Sequence, residues 1–483
     1  MGSFVVLQIL VVVLALSTAT TMFNKRVFGL PQAIGSPIAG ALCVIIFQFA
    51  AIAANSSSYI HINIESIRDT VTNFDLYTFL INGVICFILT ASAITYKISD
   101  LKQHWQAVSI LATIALMLCA FLFAIILHQF HILVGIEVPF LVMLLLGSAL
   151  GATDAIGIKG VLSSLNAPSH IFTKAFGESL FNDAMCIALF MTILGLIGGK
   201  AFNIGDAAYH LAYEIVVATA IGFGTGWICL KLLRGPHERE SLILLIGLLA
   251  CSSYLIALYV HASAPIASVV AGLYVGNKWE EILSRDSTED INHFWHTIEG
   301  LINTFLFAMI GFELFIIDID FMLVACGVVA FIVLHISRLV ANGISFAFFP
   351  HLMKKRFNGS LMIVSWGGVR GAISLALILS VCNTPELKPY ANILIGYTFF
   401  SVLMSGVVCG LGLPNVINAF YHNPDAPTTG FSGWYQRMCN KLNTKGFKYI
   451  VTKDEDGTEM ISIYKPYSAS QAIGEDSEHS DRF

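Results

Sequence analysis

Charge is what this chain has least of. Of its 483 residues only 12% are Asp, Glu, Lys or Arg, whereas 56% are hydrophobic and 35 are Phe; a soluble domain carries roughly 25% charge. That balance excludes a water-soluble globular enzyme and defines a polytopic membrane protein. The formal net charge of −5 is small for this length, so no polyanionic partner and no nucleic acid is expected. Cysteine pairing is missing too. The ten cysteines stand singly, without a Cys-x-x-Cys, which excludes a disulfide framework and a zinc site and leaves small hydrophobes. No basic segment precedes the first apolar run, and Lys25 and Arg26 follow it. That order suits a retained span with its N-terminus outside, not a cleaved leader.

What is present is a series of long apolar runs. A window of about 20 residues gives about thirteen spans, near 4–22, 34–54, 75–96, 105–128, 138–163, 171–197, 207–232, 241–260, 262–277, 298–317, 321–348, 359–381 and 392–418. All are predicted helical, because in lipid each span must satisfy its own backbone hydrogen bonds. The first loop and every second loop after it carry Lys25, Arg26, Lys97, Lys102, Lys174, Lys231, Arg234, Arg239, Lys278, Arg285, Lys354, Lys355 and Arg356; the opposite set carries Arg68, Lys200 and Lys388. The positive-inside rule then puts the tail in the cytoplasm. Residues 1–420 form the membrane domain and 421–483 a short polar tail, where β-formers around Asp454-Glu455-Asp456-Gly457 suggest a hairpin before a disordered acidic end.

Against this background the charges inside spans are functional suspects. The sixth span holds Glu178, Ser179, Asn182 and Asp183, with i, i+4 spacing that puts them on one broad face. One structural ion pair would explain one acid, not both acids with an amide and a hydroxyl. The fifth span contains Gly151-Ala152-Thr153-Asp154-Ala155-Ile156-Gly157, weak helix whose freed carbonyls can meet a cation. Arg338 and Arg370 lie in later apolar runs. A guanidinium does not shed its charge, so each needs acids or helix C-terminal carbonyls, with Asp154, Glu178 and Asp183 as the available acids. Gly367, Gly368 and Gly371 mark a second weak helix around Arg370.

The two weak helices are the fifth of one set of six spans and the fifth of a second set that starts at span eight. An offset of seven makes the sets inverted in the membrane. Two inverted six-helix repeats with broken helices crossing at the midplane are a secondary-transporter design.

The motifs GATDA, GESLFNDA, FWHTIEGLINTFLFAMIGFEL, SRLV and GGVRGAISLAL, in this order over about residues 20–420, resemble the monovalent cation/proton antiporter family, in its CPA1 branch of Na⁺/H⁺ exchangers. The resemblance implies a homodimer with core and dimerisation subdomains, in the cell (inner) membrane, exchanging Na⁺ for H⁺, with these ions as substrates and no cofactor. It implies that Asp183 binds ion or proton, with Asn182 as partner and Thr153, Asp154 and Ser179 as surrounding ligands. Na⁺ would be held by Asp183, Ser179 and Thr153. Glu178 and Arg338 would form a buried ion pair, and Arg370 would offset charge at the crossing. Two departures stand out: Ala155 occupies a position where the family usually has proline, and the later part of the third span reads FILTASAITYKISD with no acid before Asp100, leaving Thr90 or Ser92 for any ligand from that helix. Since an amide cannot ionise, Asn182 argues for electroneutral one-for-one exchange. The alternatives are a K⁺ or Li⁺/H⁺ antiporter of the same fold, a cation channel, and an intramembrane aspartyl protease using Asp154 and Asp183.

Overall fold

In the computed structural model the described residues are most of 83–420, parts of 11–46, and two short strands at 448–453 and 459–464. The breaks within 83–420 fall at 165–168, 200–203, 236–237, 313–319, 349–356 and 383. The expected spans 4–22, 34–54 and 75–96 therefore lie partly or mainly outside the described residues, as does most of the tail.

The described membrane region is all helical. We number the helices α1 Ile85–Ile94, α2 Ile98–Ile110, α3 Leu116–Val134, α4 Phe140–Ala149, α5 Ala155–Ser164, α6 Ser169–Ile197, α7 Ile204–Leu232 and α8 Arg239–Tyr259. There follow α9 Ala264–Gly276, α10 Arg285–Phe312, α11 Phe321–Phe348, α12 Phe357–Trp366, α13 Ala372–Val381, α14 Ala391–Met404 and α15 Gly410–Phe420. Two π-turns, Leu111–Ala115 and Ser405–Cys409, join α2 to α3 and α14 to α15. Among the described residues six helical stretches are long and apolar enough to cross a membrane: Ile98–Val134, Ile171–Ile197, Tyr209–Leu232, Arg239–Tyr259, Phe321–Phe348 and Lys388–Ile417. Three short apolar helices, α1, α4 and α13, accompany them.

The two spans expected to be weak are interrupted. Residues 138–163 divide into α4 and α5 around non-helical 150–154, and 359–381 divide into α12 and α13 around 367–371. Each half is about ten residues, near 15 Å and half a bilayer core. The helix expected at 298–317 starts earlier, at Arg285, because the preceding polar stretch winds onto its N-terminus.

Small residues let the helices close up, as dispersion packing in lipid requires. α9 lies between α7 and α1: a Cβ on Gly222 would meet the Ala267 carbonyl oxygen at 2.6 Å, and one on Gly272 the Thr90 carbonyl oxygen at 2.9 Å. The strands β1 Lys448–Lys453 and β2 Glu459–Tyr464 pair antiparallel, Lys448 opposite Tyr464 and Lys453 opposite Glu459.

Candidate cation site at the crossing of two interrupted helices

The interruptions meet. The Asp154 N–H, at the end of the first break, donates to the Val369 carbonyl in the second at 2.8 Å. Neither break leaves its polar backbone to lipid, which answers the cost of unsatisfied groups at membrane depth. The α4 C-terminus, where carbonyls lack intrahelical partners and the helix dipole is negative, faces Arg370. Its Nη1 donates to the carbonyls of Gly151 at 2.7 Å and Ala152 at 3.2 Å. The Arg370 backbone N–H is held by Ser405 Oγ, 2.9 Å away.

α6 passes alongside and supplies three different surfaces. Glu178, buried, accepts a 2.6 Å hydrogen bond from Arg338 Nη2 of α11, and the same nitrogen donates to the Val364 carbonyl of α12 at 3.3 Å. Of the two arginines, Arg338 is thus the partner of Glu178. Ser179 and Asn182 turn to the first break. The Thr153 hydroxyl lies 2.7 Å from Ser179 Oγ, and Asn182 Nδ2 donates to Gly151 O at 2.9 Å and to Thr153 Oγ1 at 3.3 Å. Asn182 Oδ1 accepts from the Cys186 thiol at 3.4 Å.

Asp183 takes the third direction, into a cavity of about 40 Å³ whose lining includes Asp183, Asp154, Thr153 and Ser92. That is room for a small ion with little water. Ser179 and Asn182 do not line it; they fix the break that does. The donor set is all hard oxygen, carboxylate and hydroxyl, the chemistry that suits an alkali ion rather than a soft metal. Among the described residues no cluster of His, Cys, Asp and Glu is arranged for a resident transition metal.

Glu299 is assigned no role by the sequence alone. It is 2% exposed on α10 and accepts a short hydrogen bond from Ser92 Oγ. The signal was available as a lone acid at the start of the apolar run from Ile298. Lys159 of α5 turns toward this acid: its Nζ donates to Thr95 Oγ1 at 3.2 Å and lies 3.9 Å from Glu299 Oε2.

Crossed half-helices around a buried carboxylate with hard oxygen neighbours define a secondary transporter of small cations. Comparison with known proteins places it more narrowly. The model of the family described as sodium/hydrogen exchanger, transmembrane, matches residues 11–414. The chain belongs to that family; it is a multi-pass membrane Na⁺/H⁺ antiporter and not an enzyme, which removes the protease alternative. It is 29% identical over 425 residues to the Na⁺/H⁺ antiporter NhaP of Pseudomonas aeruginosa, covering 86% of this chain and 97% of that one. It is also 29% identical over 366 residues to the antiporter NhaG of Bacillus atrophaeus, covering 72% and 65%. Among solved structures, the sodium proton antiporter MjNhaP1 of Methanocaldococcus jannaschii at pH 8 superposes with a TM-score of 0.67 at 19% identity, covering 86% of this chain and 99% of that one. This likeness establishes the fold.

Proposed function

We propose that this Na⁺/H⁺ antiporter works by competition at Asp183, which holds either one proton or one largely dehydrated Na⁺, with Asp154, Thr153 and the Thr153 carbonyl, and Ser179 and Asn182 behind them, completing the site. The supporting observation is the distribution of charge at the crossing. Arg338 is committed to Glu178 and Arg370 to the Gly151 and Ala152 carbonyls of the first break, while Asp183 faces the cavity. With every group ionised, Asp154, Glu178 and Asp183 exceed the two guanidiniums by a single negative charge. One Na⁺ or one H⁺ neutralises it. Loaded carriers can then cross the apolar barrier, and the bare carboxylate cannot cross cheaply. On this reading exchange is one-for-one and electroneutral.

The same reading takes the chain as a homodimer in the inner membrane, with thirteen spans in two inverted six-helix repeats. The N-terminus is outside and the tail from 421 cytoplasmic, on the strength of the loop-charge asymmetry. K⁺ or Li⁺ in place of Na⁺ is the second reading within the same fold.

The test is Asp183→Asn in proteoliposomes, reading ΔpH on addition of NaCl, LiCl or KCl. Wild-type protein should respond to Na⁺ and the variant to none. Full exchange by the variant, or a wild-type response to K⁺ alone, overturns the assignment. Clamping the potential with valinomycin and K⁺ should leave the rate unchanged; a Na⁺-driven current refutes one-for-one exchange.

A further inference from the structure

We propose that Glu299 is a positioning residue that orients the Ser92 hydroxyl as an oxygen ligand for the transported cation. The inference rests on the reading of the crossing cavity as the Na⁺ site.

Ser92 lines that cavity from α1, on the wall contributed by neither interrupted helix nor α6. Its side chain is buried, and its hydroxyl donates to Glu299 Oε1 on α10. A serine hydroxyl has one proton and two lone pairs and rotates to suit its surroundings. Left alone in a helix, it would donate to a carbonyl of the preceding turn or to a cavity carboxylate. Committing the proton to a buried carboxylate leaves only lone pairs for the cavity, and the charge-assisted bond increases the electron density on the oxygen. The wall then accepts a cation and cannot satisfy an aspartate in its place. Glu299 does not itself line the cavity, so its action runs through Ser92.

The charge of Glu299 is balanced on its far side. Lys159 Nζ lies 3.9 Å from Oε2, is steadied by Thr95 Oγ1 at 3.2 Å, and sits 5.7 Å from the centre of the Phe176 ring. A carboxylate paired in this way orients a hydroxyl without competing with Asp183 for the ion. The pair also adds no net charge to the crossing, so the one-for-one count is untouched.

The experiment measures Na⁺ KM and maximal exchange rate in proteoliposomes for Ser92→Ala, Ser92→Thr, Glu299→Ala, the double variant Ser92→Ala/Glu299→Ala, and Lys159→Ala/Glu299→Ala. The last removes both charges of the pair, so folding is not burdened by a half-buried unpaired lysine. Loss of one oriented oxygen ligand should raise KM about five- to tenfold in Ser92→Ala, Glu299→Ala and Lys159→Ala/Glu299→Ala, more than it lowers the maximal rate. The Ser92→Ala/Glu299→Ala variant should be no worse than either single change, because both remove one unit, and Ser92→Thr should keep the wild-type KM. Wild-type KM in Ser92→Ala and Lys159→Ala/Glu299→Ala, or additive effects in the double variant, overturns the proposal. Asp183→Asn separates the two levels. If it exchanges Na⁺ normally, the cavity reading itself falls; if it is inactive while the Ser92 and Glu299 variants keep their KM, this inference alone falls.

Discussion

The two interrupted helices resume in the same way and differ in what they bring to the crossing. In the first, α5 begins at Ala155-Ile156 after Thr153 and Asp154; in the second, α13 begins at Ala372-Ile373 after Arg370 and Gly371. The first break offers carbonyls, a hydroxyl and a carboxylate. The second offers a guanidinium, a carbonyl and a glycine whose absent side chain leaves room for Asp154: a Cβ on Gly371 would lie 3.3 Å from Asp154 Cβ. The C-terminal end of a half-helix presents carbonyls at the negative end of its dipole, so a second break made like the first would add carbonyls and a carboxylate with no cation to offset them. Giving the breaks opposite chemistry allows the second to stabilise the first and leaves the proposed cation site to one side.

Support for this asymmetry begins outside both breaks, at Glu178 and Arg338, and the largest effect is expected there. Arg338 ties α11 to α6 through Glu178 and to α12 through Val364, and a Cβ on Gly368 would meet Arg338 Nε at 2.7 Å. Glu178→Gln or Arg338→Gln leaves a buried charge unpaired and should cost about 3–5 kcal/mol. Thermal unfolding in detergent should show both singles strongly destabilised, with partial recovery in Glu178→Arg/Arg338→Glu. No recovery would mean that α6 and α11 are held by something other than this pair.

A smaller loss is expected at Arg370. Its Nη1 meets two carbonyls and no carboxylate, and a hydrogen bond to a charged group is worth about 1.5–3 kcal/mol. Arg370→Gln should therefore lower stability by about that amount, less than the Glu178 change, and should reduce exchange by loosening the first break. Lysine in its place supplies the charge without the planar fork and should recover stability more than rate. Equal recovery of both would reduce Arg370 to a point charge.

Much of this arrangement could be read before any coordinates. The apolar runs, the intramembrane charges and the two glycine-bearing weak stretches each follow from how backbone and charge behave in lipid, and those stretches are where α4/α5 and α12/α13 divide. The division of labour on α6 could not be read so easily. Spacing put Glu178, Ser179, Asn182 and Asp183 on one broad face, but at 3.6 residues per turn that face is wide enough to meet α11, the first break and the cavity separately. Which neighbour each side chain meets depends on contacts 26 to 160 residues away. Glu299 escaped for the same reason, since its partner Ser92 is 207 residues distant and no local pattern links them.

The smallest expected effect tests whether the two breaks are set by their own backbones or by their partners. Ala155 is the first residue of α5, where the N–H has no intrahelical acceptor and proline's fixed φ is already helical. Proline would restrict the preceding residue to extended backbone. Asp154 is already non-helical there, with its N–H on Val369 and its carbonyl accepting the Ile158 N–H at 3.1 Å. Ala155→Pro should therefore stabilise the protein by about 0.4–1 kcal/mol, chiefly by restricting the unfolded chain. Ala372 has the matching position in α13, after Gly371 in extended backbone at φ −114° and ψ −173°. Both alanines line the cavity, so added ring carbons act on the same space from either side. If both breaks are set locally, Ala372→Pro should give a similar gain in thermal unfolding. A gain at 155 with a loss at 372 would show that the second break is held in shape by the Arg370 bonds to the Gly151 and Ala152 carbonyls and by Ser405, with the first break the template on which the second is formed.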